Sequence, residues 1–363
     1  KGYSNIFLKK YNNNPSSNEK VYRIFEWAAE AGYEYLWMIH DHTVCNEEAI
    51  VFLMNILKSE KNDFLLLNMQ ASDYKTEKFN KINDFLLKGA WRLNSFGASI
   101  VKTDTFLGGV DWTFMRRKYG DNKTLNYSHI GFYFERIAEM KYPLISQIFF
   151  ERKDFIDFNR TKKIEWEKDT IRLCLECWGE VITRLPDVYE NKREVLRSQD
   201  RWFLSKYSLL IYRKKGYFSF KEFYKYRKWL KTIFPEDYWR DFFICILPYK
   251  LAERFICKKL GDHLTEAKRK EKEIFIFGAG RHAVECASFL LERGTEFQGF
   301  IVSDIKGNPE ELLNHKVYLA KKESLPSHIT VLIAVLSSGV EEVIALLQNL
   351  TDEGMDIEII KMM

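Results

Sequence analysis

Three observations on the sequence predict an α/β protein in three parts. Short apolar strands alternate with amphipathic helices from residue 5 to about 155. A glycine-poor, all-helical stretch follows, and from Ile274 the order strand, Gly-x-Gly turn, helix, strand returns. At 363 residues and 43.3 kDa the chain exceeds one ordinary core. The boundaries read from these shifts are 1–155, 156–268 and 269–363.

In the first part, Asn5 to Leu8 predicts a strand, Glu19 to Ala31 a helix, Tyr35 to His40 a strand, Asn46 to Leu57 a helix and Phe64 to Met69 a strand. Ser17 and Glu19 open the first helix, whose apolar face runs Val21, Ile24, Phe25, Ala28 and Ala29. Gly32 is placed to close it, since a helix ends readily on a residue that accepts the left-handed conformation. Gly97 to Val101 predicts a further short strand, followed by a Gly108-Gly109 turn. The chain opens on Lys1 in what reads as the lead-in to a strand, with the expectation that a piece precedes it.

The second part predicts helices over Trp166 to Leu185, Lys192 to Tyr212, Ser219 to Phe234 and Asp237 to Leu260. Across 201–260 there are 15 Lys/Arg against 5 Asp/Glu, so this stretch more than accounts for the net charge of +5 of the whole chain. Within it, Arg213 to Lys231 interleaves basic and aromatic residues, a composition suited to peripheral contact with an anionic membrane. Nucleic acid is the competing partner, but no nucleic-acid module surrounds the run, and none is expected. No run of 18 apolar residues and no signal peptide is visible. The six cysteines show no disulfide-scaffold spacing, and Cys174-x-x-Cys177 lies in a helical pattern without a second ligand pair. A cytoplasmic protein with peripheral membrane association is expected.

The third part follows a charged run, Glu266 to Glu273, read as a linker. Strands are predicted at Ile274 to Phe277, Phe297 to Val302, Val331 to Leu336 and Ile357 to Ile360, with helices at His282 to Glu292 and Val340 to Leu350. The turn Gly278-Ala-Gly280-Arg281 and Asp304 at the end of the next strand form a nucleotide-binding pattern. The glycines let a phosphate approach the helix N-terminus, and the acid can take ribose hydroxyls.

The chemistry-bearing residues of the first part sit at a strand end. His40, Asp41 and His42 follow the apolar run Tyr35 to Ile39, where open α/β sheets bind ligands, and can hold a divalent cation and through it a diphosphate. Here the chain resembles family 2 glycosyltransferases of the GT-A fold. There a helix leads into "A-x-x-G-x-D-Y-I-W-x-x-D-D-D-T", and this sequence has Ala28 to Gly32, Tyr35-Leu36-Trp37 and His40-Asp41-His42-Thr43. Only the middle Asp of the triplet is kept. Phe96-Gly97-Ala98-Ser99-Ile100-Val101-Lys102 and Phe106-Leu107-Gly108-Gly109-Val110-Asp111 are similar to that family's acceptor-side segment.

The resemblance covers roughly residues 5 to 150 and implies a mixed sheet like that of the nucleotide-diphospho-sugar transferases. It further implies Mg²⁺ or Mn²⁺ at His40, Asp41 and His42, a nucleotide-sugar donor, and a glycan or lipid-linked acceptor in surface polysaccharide assembly. The base that deprotonates the acceptor falls near His129, with Asp121 and Asp111 as alternatives. Transfer by direct displacement would invert the anomeric centre. The third part resembles small Rossmann-like domains of sugar-modifying enzymes, and implies a nucleotide, or NAD, at Gly278, Gly280, Arg281 and Asp304. Two rival functions remain open: a nucleotide-dependent oxidoreductase working through the third part, and a non-catalytic sugar-nucleotide-binding protein.

Overall fold

The structure, a computed structural model, describes residues 15–39, 43–59, 62–68, 77–140, 145–149, 155–157, 167–305, 308–335 and 339–362. The strand expected at Asn5 to Leu8 lies outside them. The protein is mixed α/β, with one sheet near each end of the chain and helices between them. Among the described residues no helix is long and apolar enough to cross a membrane.

The first region runs α1 (Ser17–Ala31), β1 (Tyr35–Trp37), β2 (Thr43–Cys45), α2 (Glu47–Ser59), β3 (Phe64–Asn68), β4 (Glu77–Phe79), α3 (Ile82–Gly89), β5 (Ser99–Lys102), α4 (Thr103–Leu107), α5 (Trp112–Tyr119), α6 (Ser128–Glu139), β6 (Ile145–Phe149) and β7 (Phe155–Asp157). Ser16, one residue before the expected start, caps α1 by accepting from the Glu19 amide. Gly32 closes the helix at φ +69°, as its position predicts. Five strands form a sheet in the order β1-β5-β3-β6-β4. β5 is antiparallel to both β1 and β3, whereas β3 and β6 are parallel, so β1, β3 and β6 all point the same way.

Strand residues alternate between faces, and the two faces of this sheet are both covered. Leu65, Leu67 and Ile100 pack under α2 through Ala49 and Leu53. Phe64, Leu66 and Val101 point the other way, into a core shared with Phe25 of α1, Phe85 of α3 and Tyr133 of α6. β2 and β7 pair separately as a two-stranded antiparallel ribbon.

The helical region comprises α7 (Thr170–Arg172), a π-helical turn (Leu173–Cys177), α8 (Trp178–Thr183), α9 (Lys192–Arg197), α10 (Lys206–Lys214), α11 (Phe220–Ile233), α12 (Tyr238–Ile246) and α13 (Tyr249–Arg269). Two of the expected long helices are broken. The run Lys192 to Tyr212 stops after Arg197 and restarts where Ser205 caps α10 by accepting from the Ser208 amide. The run Asp237 to Leu260 divides at Leu247-Pro248, because proline cannot supply the amide that a continuing helix needs. The first half of the charged run read as a linker is the last turn of α13, where Glu266 pairs with Arg269 and Lys270 and Ala267 is fully buried.

The final region runs β8 (Glu273–Phe277), α14 (Arg281–Leu291), β9 (Gly299–Val302), β10 (Glu311–Leu312), β11 (His315–Leu319), β12 (His328–Ile333), α15 (Val340–Asp352) and β13 (Asp356–Lys361). The sheet order is β10-β11-β9-β8-β12-β13, parallel throughout except for β10. Ile274 and Ile276 face the α14 side, while Phe275 and Phe277 face α15. Burial on both faces is why these strands read as unbroken apolar runs. α14 packs against the helical region through Tyr207 and Phe289, whose rings lie 5.2 Å apart, and Lys214 pairs with Glu292 at 2.9 Å.

Candidate active site

Because β1, β3 and β6 run the same way, their C-terminal ends lie along one edge of the first sheet, where α/β sheets bind ligands. The loop Arg92 to Ala98 enters β5 at that same edge. The Leu67 amide donates to the Ala98 carbonyl at 2.8 Å, and Trp37, the last residue of β1, pairs with Ile100. Gly97 sits at φ +103°, a conformation that glycine alone adopts without strain. Its carbonyl accepts from the Trp37 indole at 2.9 Å. Met38 is then buried and Ile39 exposed as the chain leaves the sheet. His40, Asp41 and His42 come next and lie outside the described residues. Among the described residues no cluster of three or more His, Cys, Asp or Glu side chains could hold a metal.

His129 is in the first turn of α6 and approaches the same loop, but not as an open base. It is 1% exposed. Its Nε2 lies 2.7 Å from the Leu93 carbonyl oxygen, which can only accept, so the proton stays on Nε2. The ring lies against Phe96, with centroids 4.7 Å apart, and edge-on to Tyr133. A buried imidazole engaged in this way holds the loop. His129 thus stands near the place expected of the base, but buried and bonded to the loop.

The two alternative bases have local work of their own. Asp111 is the N-cap of α5 and accepts from the Phe114 amide at 2.9 Å. Asp121 caps the short turn after α5, accepting from the Lys123 amide at 3.0 Å, and pairs with Arg184 at 3.0 Å. Partial burial pushes its carboxyl upward, but Arg184, the Lys123 amide and Thr124 outweigh this and hold it below the usual range. Asp121 therefore carries a partly exposed carboxylate that stays ionised. Asp111 and Asp121 thus cap two different helix starts, while His129, in the first turn of α6, is bonded to Leu93.

A further anchor lies at the opposite edge of the sheet, where α4 follows β5 and the Thr103 amide donates to the Glu34 carbonyl ahead of β1. Arg136, on α6, donates to the carbonyls of Phe106 and Gly108 at 2.9 Å each and of Thr105 at 3.2 Å. It thereby clamps the end of α4 ahead of the Gly108-Gly109 turn.

In the final region, Gly278 follows β8 and Gly280 precedes α14, at the point where the sheet order reverses between β9 and β12. Gly278 sits at φ +117°, and a Cβ there would come 2.9 Å from the Ala334 carbonyl oxygen. No side chain caps α14 at Gly280, and Arg281 is the first residue of that helix. Asp304 stands exposed beyond β9, the strand beside β8. These positions fit a nucleotide: backbone amides at the helix start for phosphate, and a carboxylate one strand away for ribose. The ring of Phe203, from the helical region, lies edge-on to His282 in the first turn of α14.

Cys174 and Cys177 are buried in the π-helical turn, and burial pushes the Cys177 thiol up to about 12. Thiols so disfavoured as thiolates are packing groups rather than metal or redox groups. Compared with known proteins, the chain matches no family model, no curated protein and no solved structure.

Proposed function

We propose that the chain belongs to an inverting glycosyltransferase of GT-A type, using a nucleotide-diphospho-sugar donor and an acceptor hydroxyl on a glycan or lipid-linked glycan. The observation that carries the reading is the meeting of two motif-bearing segments at one sheet edge. The strand that leads into His40, Asp41 and His42 ends on Trp37, and Trp37 and His129 bond to the same Leu93 to Gly97 loop. The mixed order, with antiparallel β5 between β1 and β3, agrees with this reading.

In this reaction the acceptor oxygen bonds to the anomeric carbon as the bond to the diphosphate oxygen breaks, and the configuration inverts. His40, Asp41 and His42 would hold a divalent cation, which supplies positive charge to the departing diphosphate. His129 is a positioning residue that fixes the loop beside the strand end. Asp121 is the base candidate whose carboxylate Arg184 holds ionised, and it must loosen from Arg184 to take the hydroxyl proton. The final region would bind a nucleotide at Gly278, Gly280, Arg281 and Asp304.

The test is release of nucleoside diphosphate from a panel of nucleotide sugars with Mn²⁺ and candidate glycan acceptors, with glycosylated product followed by mass spectrometry. Acceptor-dependent release is expected, and Asp121→Asn should lower it by about 100-fold or more. Full activity in that variant removes Asp121 from the role; no release with any donor removes the proposal. A second reading, in which the final region carries the activity as an oxidoreductase, is favoured by the Gly278 turn at the sheet's reversal point. Reduction of a nicotinamide cofactor by the full chain would support it.

A further inference from the structure

The basic, aromatic stretch Arg213 to Lys231 is only partly surface. Phe218, Phe223 and Tyr226 are buried in the helical core. The structure exposes a different set of rings, drawn from two helices. Phe220 and Tyr224 on α11 are 53% and 57% exposed, and Trp239 and Phe243 on α12 are 65% and 42% exposed. They form one patch, because the half-buried Phe242 ring touches Phe220 at 6.5 Å, Trp239 at 5.9 Å and Phe243 at 5.7 Å. Four large rings left in water on adjoining helices are an uncommon cost for a chain to retain unless something covers them.

The exposed charge around the patch is mostly positive. At 3.6 residues per turn, Arg227, Lys228 and Lys231 lie on the same face of α11 as Phe220 and Tyr224, beside the buried stripe of Phe223, Tyr226, Leu230 and Ile233. All three cations are exposed. Lys231 lies about 17 Å along the helix from Phe220, so rings and cations share a plane rather than a point. Of the acids on α11 and α12, Glu222 is held by Ser219, and Asp241 is buried against Arg201 and Arg240. Asp237 pairs with the same two arginines. Glu236 is the exposed acid left among the described residues of this face.

We infer that this surface, Phe220, Tyr224, Trp239 and Phe243 flanked by Arg227, Lys228 and Lys231, docks the protein on an anionic lipid bilayer. The rings would sit at the headgroup level, and the cations would meet lipid phosphates. A second copy of the chain fits poorly, since a two-fold contact would set this cationic face against itself. The rings also meet edge-on or tilted, at 36° for Phe220 with Tyr224 and 88° for Trp239 with Phe242. They therefore do not offer the parallel platforms on which successive nucleic-acid bases stack.

The experiment is co-sedimentation of the full chain with vesicles of phosphatidylcholine alone or with phosphatidylglycerol, at low and high salt. Binding about tenfold stronger to the anionic vesicles, weakened by salt, is expected. Trp239→Ser with Phe243→Ser, and separately Lys228→Glu with Lys231→Glu, should each lower that binding about tenfold. Circular dichroism and melting temperature should stay unchanged, because the four side chains are exposed. No preference for anionic vesicles, or equal binding by both double variants, overturns the inference. So does a dimer, or tight oligonucleotide binding, that the same substitutions abolish.

Discussion

Trp37 and His129, distant in sequence, bond to carbonyls at the two ends of one short loop: the indole to Gly97 at 2.9 Å and the imidazole to Leu93 at 2.7 Å. The loop precedes β5, so both contacts bear on the same sheet edge. Trp37→Phe removes one neutral hydrogen bond and should cost about 1 kcal/mol. His129→Leu leaves a buried carbonyl without its donor and should cost about 1–3 kcal/mol. Because the two contacts hold one loop, the double variant should fall short of or exceed the sum by about 0.5 kcal/mol or more in urea unfolding. Strict additivity would show that the contacts act independently.

Gly131 is required for space rather than for conformation. A Cβ there would lie 2.3 Å from the Tyr119 ring. Tyr119 cannot retreat easily, since its hydroxyl donates to Glu135 at 2.6 Å inside the core, and Lys118 bonds the same carboxylate. Gly131→Ala should therefore destabilise by about 1–3 kcal/mol, read as a lowered urea midpoint. Tyr119→Leu in the same chain should recover part of the loss.

Acid should weaken the Asp121–Arg184 pair. The folded carboxyl titrates below its unfolded value near 3.9, so the unfolded state takes up protons first as the pH falls. Its contribution is fully present above the unfolded value and is lost as the pH drops through the folded one. The pair is partly exposed, which limits the effect to about 1 kcal/mol or less. Melting temperatures of wild type and Asp121→Asn should differ at pH 7 and converge below about pH 4. A constant gap would contradict this.

The C-terminal sheet was readable because strands buried on both faces are long apolar runs, and because Gly278-x-Gly280 marks the turn between β8 and α14. β11 passed unnoticed, since His315 and Lys316 open it and Tyr318 lies half exposed, which blurs the apolar signal. The break after Arg197 was hidden by helix-forming composition, whereas Pro248 in the sequence marks the break between α12 and α13. Arg201 turns inward to Asp241 at 2.7 Å, and no local pattern announces a tertiary ion pair. At the candidate site the strand end and the α6 start were legible as motifs. The burial of His129 was not, because Leu93 and Phe96 reach it only through the fold.

Asp304 provides the test of the final region. If its exposed carboxylate takes ribose hydroxyls, Asp304→Ala should weaken nucleotide binding by about tenfold in calorimetric titration, with the melting temperature of the free protein unchanged. Undiminished binding would place the nucleotide elsewhere.

The central claim is that the edge carrying Trp37 binds a nucleotide sugar through the segment that follows it. The most direct measurement is thermal stabilisation of the full-length protein by a nucleotide-sugar panel, with and without Mn²⁺, in wild type and Asp41→Ala. A ligand at about 100 times its dissociation constant adds about 2.7 kcal/mol of stability. The account predicts a Mn²⁺-dependent rise with at least one donor that Asp41→Ala abolishes. No rise with any donor, or a rise that survives the substitution, would contradict it.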